Sequence, residues 1–409
     1  MNNFLIAIKI NKVLHLEDIN IEIDSKEKKH LILTGKNGSG KTTLLKAIAD
    51  ILHNIDQDRS LSFLNIKKNI EQMETRLNSL RGLQEYQNQI LSDEQQIDRL
   101  KNQYHYHFGK IELTFTDIFS ISKAINEGKF LLSFYGANRK TEVIVPKNPE
   151  KPNLTPVGIH QSKIGEFLKF LIDLKIQEAL ARNENSIHEA DNIKHWFENF
   201  TGLLGNIFEG EKVKLEFNYK DYSFKIKQGN KVFGFNELSD GYSAIIDIIA
   251  DLILKMQKQG SLVRGYEMEG IVLIDEIETH LHLKLQRLIL PMLTKIFPNL
   301  QFILTTHSPF ILNSIENAIA YDLEKQLRLE DLTDYSYDAL AEGYFKVEGE
   351  SNFLKAKIVR FKELSEKKVK DAAEQEEYNN LDKEFSEMDE LLTSPNIKGQ
   401  YLEIKLKEN

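Results

Sequence analysis

The stretch LILTGKNGSGKTTLLKAIADIL, Leu31 to Leu52, decides the fold. A short apolar run, Leu31 to Leu33, enters a polar glycine-rich turn, and apolar residues then return at helical spacing at Leu44, Leu45, Ile48 and Leu52. Strand, loop and helix follow in that order. The turn, Gly35-Lys36-Asn37-Gly38-Ser39-Gly40-Lys41-Thr42, has the G-x-x-x-x-G-K-T spacing of a phosphate cradle. Its glycines let backbone N–H groups close around phosphates, and the helix N-terminus adds a positive dipole. Lys41 is positioned to meet the terminal phosphates of a nucleotide, with Thr43 just behind it, and the Thr42 hydroxyl to hold Mg²⁺.

Such a cradle calls for an acidic strand end elsewhere in the chain. GIVLIDEIETHLH, Gly270 to His282, supplies one: Ile271 to Ile274 read as a buried strand, and Asp275 and Glu276 follow at its C-terminal edge, where ligands sit in open α/β sheets. Asp275 is expected to complete the Mg²⁺ shell and Glu276 to orient the attacking water. A third apolar strand, in FILTTHSPFIL from Phe302 to Leu312, ends at His307, a candidate hydrogen-bond partner for the terminal phosphate. Taken alone, such a histidine is more often a satisfied strand-exit residue. His280 and His282, with Glu278, have a metal-ligand spacing, but no third partner stands nearby, and a loop after the strand is the better reading.

The segment LSDGYSAIIDIIADLI, Leu238 to Ile253, places a second glycine-containing turn before an amphipathic helix. Ser239 is a natural N-cap, and Gly241 keeps backbone N–H groups open to an anion. The chain already has a cradle at Gly35. A second anion site therefore faces another molecule's nucleotide.

In this order the motifs resemble those of the ABC-type ATPases: Walker A at Gly35 to Thr42, a signature turn at Leu238 to Tyr242, Walker B at Ile271 to Asp275 with Glu276, a D-loop at Glu278 to His282, and a switch histidine at His307. The resemblance implies an α/β head, ATP and Mg²⁺ as ligands, His307 as γ-phosphate sensor, and a head-to-tail dimer. In that dimer Leu238, Ser239, Asp240 and Gly241 reach the ATP of the partner. Asp240 departs from the glycine of transporters and many repair ATPases, which implies either an acid near that phosphate and a weaker closed dimer or a side chain directed away from it. The Q-loop glutamine has no evident equivalent; Asn138 and Arg139 in FLLSFYGANRK, Phe130 to Lys140, are the candidates.

Asn65 to Tyr104 is polar and helical, with two apolar sets related by a slip near Gly82. One continuous helix would reach about 60 Å and a hairpin half that. Either is far shorter than the arms of SMC-type ATPases, leaving a locally packed insertion or a partner-binding arm. Pro146 to Pro156 reads as a loop, Ser162 to Ala181 and Ser186 to Phe208 as helices, and Lys212 to Phe235 as an antiparallel meander.

The 409 residues exceed the usual single-domain size, and 41% hydrophobic with 28% charged residues reads as a soluble globular chain. No apolar run approaches the roughly 18 residues a membrane span requires, and no signal-peptide layout stands at the start, so a cytoplasmic location without a membrane partner is expected. The absence of cysteine excludes disulfides, thiolate metal sites and a cysteine nucleophile. A formal charge of −9 argues against a surface that is basic all over.

The IDEIETHLH and LTTHSPFIL runs narrow the resemblance to the OLD-like AAA-15/AAA-21 ATPases of bacterial antiphage systems. Neither a TOPRIM-like acidic strand nor an H-N-H pattern follows His307, so the chain resembles the ATPase subunits of two-gene systems of the Septu type, the PtuA family. There the resemblance implies a slow, regulatory ATPase with an HNH nuclease partner, and DNA contacted through the complex. A repair ATPase acting on DNA ends, a nucleotide-gated scaffold and an importer ATPase remain alternatives. The expected layout is residues 1–60 with Walker A, 61–108 the helical insertion, and 109–160 the return of that lobe. The helical signature lobe then occupies 161–260, the Walker B, D-loop and switch-histidine part 261–345, and a charged helical tail 346–409.

Overall fold

A computed structural model describes residues 3–57, 62–81, 86–139, 143–146, 148–208, 212–257, 267–337, 339–344, 351–387 and 395–408. The slip near Gly82, and parts of the loop near Pro146 and of the tail, lie outside the described residues. Two compact units result, Met1–Asp334 and Tyr335–Asn409.

In the first unit, β1 (Leu5–Val13) and β2 (Leu16–Glu22) form a hairpin, followed by β3 (His30–Thr34) and α1 (Lys41–Gln57). Helices α2 (Ile66–Leu80) and α3 (Gln87–Phe108) lead to β4 (Ile111–Phe115), α4 (Ile118–Asn126) and β5 (Phe130–Tyr135). A helical region of α5 (Phe167–Asn183) and α6 (Ile187–Ile207) carries the strands β6 (Val213–Asn218), β7 (Ser223–Gln228) and β8 (Lys231–Phe233), then α7 (Asp240–Met256). The chain returns through β9 (Glu269–Ile274), α8 (Leu283–Ile296), β10 (Leu300–Thr305), α9 (Pro309–Leu312), β11 (Ala318–Asp322) and β12 (Leu327–Leu329).

The central sheet has the order β12-β11-β3-β10-β9-β5, parallel except at β12. Parallel strands are covered on both faces and need largely apolar side chains, with any polar one hydrogen-bonded. β3 and β10 are accordingly buried at every position, and β9 from Gly270 onward. The register pairs Leu33 with Thr305, Leu304 with Ile274, and Ile274 with Tyr135. The strands thus end together, and the loops after β3, β5, β9 and β10 emerge along one edge. A fold of this kind, a mixed α/β sheet flanked by helices, is what the motif order predicts.

A smaller antiparallel sheet, β2-β1-β4, closes over α1, whose Leu44, Leu45, Ile48, Leu52 and Ile55 join one core with Ile8, Ile10, Ile21 and Ile111. Fully buried Gln301 ties the two sheets. Its Oε1 accepts from the Leu5 N–H at 2.8 Å, and its Nε2 donates to the carbonyls of Leu5 at 2.9 Å and Lys29 at 2.8 Å.

The insertion is a hairpin: α2 and α3 pack on each other, with Arg76 on Asp93 at 3.4 Å and Lys101 on Glu74 at 2.7 Å. Of the two lengths the sequence allows, this is the shorter, about 33 Å for the longer helix at the α-helical rise. In the helical region Trp196 stacks on Phe200 at 5.3 Å and meets Phe170 edge-on at 5.5 Å, and the meander β6-β7-β8 turns alternate residues inward. The second unit contains α10 (Asn352–Glu366), α11 (Ala372–Ser386) and α12 (Pro395–Glu408), which gather around Phe361, with Tyr378 at 5.1 Å and Phe385 and Tyr401 each at 5.6 Å.

His30, at the start of β3, is 3% exposed, and its Nδ1 accepts from the Phe302 N–H at 3.0 Å. Burial, then the Lys28 charge, lowers its pKa from 6.5 to about 3. The unfolded chain takes up this proton first, so stability is lost as pH falls below 6.5 and the loss is complete near 3. Between pH 7 and pH 5 this one group is expected to remove about 2 kcal/mol. Urea unfolding of His30→Asn, which keeps an acceptor without a titrating ring, should show a correspondingly flatter dependence over that interval.

Candidate functional site

The Gly35–Thr42 loop adopts backbone that only glycine enters freely. Gly35, Gly38 and Gly40 have φ of 133°, 82° and 93°, and a Cβ on Gly35 would lie 2.9 Å from Ser39 Oγ. Lys41 Nζ donates to the carbonyls of Gly35 and Lys36, both at 2.9 Å, which draws the loop around the ammonium. Burial lowers the Lys41 pKa, opposed by Glu276, Glu278 and Asp275. Ser39 Oγ is buried without a partner at the floor of the loop.

Asp275 leaves the end of β9 and is 3% exposed. Its Oδ1 accepts from Thr42 Oγ1 at 3.0 Å and from Thr305 Oγ1 at 2.7 Å, joining the first turn of α1 to the last residue of β10. Its N–H donates to the Tyr135 carbonyl at 2.8 Å. Glu276 then turns into left-handed backbone, φ 46°, with its N–H donating to Thr305 Oγ1 at 2.7 Å. Arg139 Nη2 donates to the carbonyls of Asp275 at 3.2 Å and Glu276 at 2.5 Å. Glu278 Oε1 accepts from the His307 N–H at 2.5 Å, while Oε2 is buried without a partner. His307 is half-buried, and burial, then the Lys41 charge, lowers its pKa, so the ring is neutral near pH 7.

Lys41, Thr42, Asp275, Glu276 and His307 thus share one edge of the sheet. The Leu238–Gly241 turn packs against the far part of the loop after β9: a Cβ on Gly241 would be 2.8 Å from the His280 carbonyl, and the Tyr242 and His282 rings meet at 6.1 Å. Ser239 occupies the N-cap position of α7, yet its hydroxyl makes no capping bond; the Ser243 N–H reaches its carbonyl instead. Among the described residues no three histidine or acidic side chains gather around a metal position, at His280 and His282 or elsewhere.

A glycine cradle, a buried ammonium and a buried carboxylate beside a threonine hydroxyl fit a phosphate bearing a divalent cation. The free Ser39 Oγ adds a polar atom inside that cradle.

Sequence reading missed what anchors α7. Asp251, 1% exposed, accepts from the Tyr135 hydroxyl at 2.6 Å, from Ser162 Oγ at 3.0 Å and from the Lys163 N–H. It also pairs with Lys255 Nζ at 2.9 Å, which donates to Ser133 Oγ at 2.8 Å. Burial and the Asp251 charge push the Tyr135 hydroxyl up, keeping it a donor. An acid and a lysine four residues apart in the mostly apolar second half of the helix were the available signal.

These features define a P-loop ATPase domain. The AAA_21 family, described as "AAA domain, putative AbiEii toxin, Type IV TA system", matches residues 31–313, and the chain belongs to that family. It is similar to "Septu protein PtuA" of Bacillus thuringiensis, 25% identical over 342 residues, 78% of this chain and 77% of that one. "Septu protein PtuA" of Bacillus mycoides (strain KBAB4) is 27% identical over 73% of this chain. "Retron Vc95 probable ATPase" of Vibrio cholerae serotype O1 biovar El Tor is 37% identical over 28%. The matched segments span 37% of the Bacillus mycoides protein and 21% of the retron ATPase. Among solved structures, the SmcHead bound to the C-winged helix domain of ScpA aligns at TM-score 0.40 and 14% identity, over 82% of this chain and all of that one. No helix among the described residues is long and apolar enough to cross a membrane.

Replacing Asp251 by alanine strands the Lys255 ammonium in the interior, so the unfolding free energy in urea is expected to fall by roughly 3–5 kcal/mol, as for other broken buried pairs.

Proposed function

We propose that the chain is a cytoplasmic Mg-ATP-hydrolysing subunit whose nucleotide state controls a partner nuclease of the HNH type in antiphage defence. The observation that carries the hydrolytic part is the single carboxylate oxygen of Asp275 shared by Thr42 and Thr305, with Lys41 in the same loop and Glu276 one residue on. In this reading the backbone of Gly35, Lys36, Asn37, Gly38, Ser39 and Gly40 cradles the phosphates, with Lys41 and Thr43 beside it. Thr42 and Asp275 hold Mg²⁺, which supplies charge neutralisation on the transferred phosphate. Glu276 accepts a proton from the attacking water as the new P–O bond forms and the bond to the bridging oxygen breaks. Neutral His307 donates to a γ-phosphate oxygen, fixed by the Glu278 bond to its backbone.

Leu238, Ser239, Asp240 and Gly241 serve the nucleotide of a second copy in a head-to-tail dimer. The placement of Gly241 against the His280 carbonyl, in the stretch expected to act as the D-loop, supports that arrangement. Asp240, at the first turn of α7, sets an acid toward the partner's phosphates and weakens closure, which suits a slow, regulatory turnover. The nuclease partner and the defence setting, with DNA reached through the complex, rest on the similarity to Septu proteins over 73–78% of this chain.

Glu276→Gln is expected to lower kcat about 100-fold or more while retaining ATP and raising the dimer fraction in light scattering. Lys41→Ala should lose ATP binding. Wild-type turnover by the Gln variant would sink the base assignment, and tagged protein isolated from its host without a nuclease would sink the partner assignment.

A further inference from the structure

Glu276 is pinned at both ends of its peptide units in a conformation unfavourable for a residue with a side chain. Its φ of 46° lies in the left-handed region, where Cβ crowds the following carbonyl. Its N–H is held by Thr305 Oγ1 at 2.7 Å, and its carbonyl by Arg139 Nη2 at 2.5 Å. The same nitrogen reaches the carbonyl of Asp275 at 3.2 Å. Two successive carbonyls therefore point at one guanidinium nitrogen. Among the described residues the hydrogen bond to the Glu276 carboxylate is a long one from the Thr279 hydroxyl, 3.4 Å. Its direction is set by the backbone rather than by bonds to its own oxygens. Strained backbone at a functional loop persists only where the surroundings over-determine it.

Arg139 follows β5 through Gly136, and β5 ends level with β9, so the short Gly136–Arg139 segment delivers the guanidinium to this turn. Burial lowers its pKa, opposed by the charges of Glu278, Asp275 and Glu276. Three carboxylates surround a group that is spent on carbonyls. Its Nε remains buried without a partner.

We propose that Arg139 is a positioning residue for hydrolysis: by holding the carbonyls of Asp275 and Glu276 it fixes the left-handed turn that aims the Glu276 carboxylate at the attacking water. This rests on the hydrolytic reading of the site. A group acting this way contributes to the chemical step and little to nucleotide binding, because the phosphate cradle lies on another loop.

The test compares the full-length wild type with Arg139→Met, which keeps an apolar stem without donors, and Arg139→Lys, which keeps charge and donors. Steady-state phosphate release, affinity for a fluorescent ATP analogue and thermal midpoint are read for each. For Arg139→Met, kcat is expected to fall at least tenfold with nucleotide affinity within threefold of wild type, and guanidinium ion at low millimolar concentration to restore part of the rate. Arg139→Lys should fall between the two, and it carries the same comparison if the Met variant does not fold. Unchanged kcat, loss of affinity in proportion to kcat, or no response to guanidinium would overturn the proposal while wild-type turnover left the hydrolytic reading standing. An inactive wild type would overturn that reading and this one together.

Discussion

A carboxylate taken out of water must be met by donors, and at Asp275 the donors come from two different parts of the chain. Thr42 arrives with the first turn of α1 and Thr305 with the end of β10, so one oxygen joins the phosphate loop, the acidic strand and the strand between them. That is possible only because the parallel strands end level with one another. The register in turn depends on the apolar runs Leu31–Leu33 in β3, Ile271–Ile274 in β9 and Phe302–Leu304 in β10, which permit burial on both faces. Packing in the sheet and chemistry at its edge are therefore one constraint seen at two scales.

The same economy links the helical region to the site. Tyr135 uses its carbonyl to hold the Asp275 N–H and its hydroxyl to hold Asp251 on α7. The helix that begins at Asp240 and the strand that leads into Asp275 are thus anchored through one residue of β5. A shift of α7 along its axis would break the Asp251 contacts with Tyr135, Ser162 and Lys163 and the Lys255 bond to Ser133 together, so the helix and β5 are tied to move as one body.

Much of this is legible in the sequence itself. Glycine spacing, Asp-Glu after an apolar run and a polar turn before an amphipathic helix are local patterns, and local patterns survive in one dimension. What the sequence left open were tertiary choices. A mostly polar stretch of about forty residues with a heptad slip fits one helix or two, and the Arg76–Asp93 and Lys101–Glu74 pairs of the folded chain select the hairpin. Arg139 could be named only as a candidate, because its partners are main-chain carbonyls and carry no side-chain signature. Asp251 and Lys255 escaped notice because charged residues four apart on a helix usually lie at the surface. Only the neighbouring β5 makes theirs an interior pair.

Gln301 shows how narrow the tolerance of an interior position becomes when a side chain does a backbone's work. Its amide presents an acceptor to one N–H and donors to two carbonyls, as a peptide unit does in a strand. Glutamate has the same shape and would face two carbonyl oxygens with an oxygen of its own; methionine or leucine would fill the space and leave all three groups unbonded. Of the residues of that length, the primary amide alone matches the pattern. Position 301 therefore resembles a keyed joint between two sheets, where a near-isosteric change would be costlier than many bolder changes on the surface.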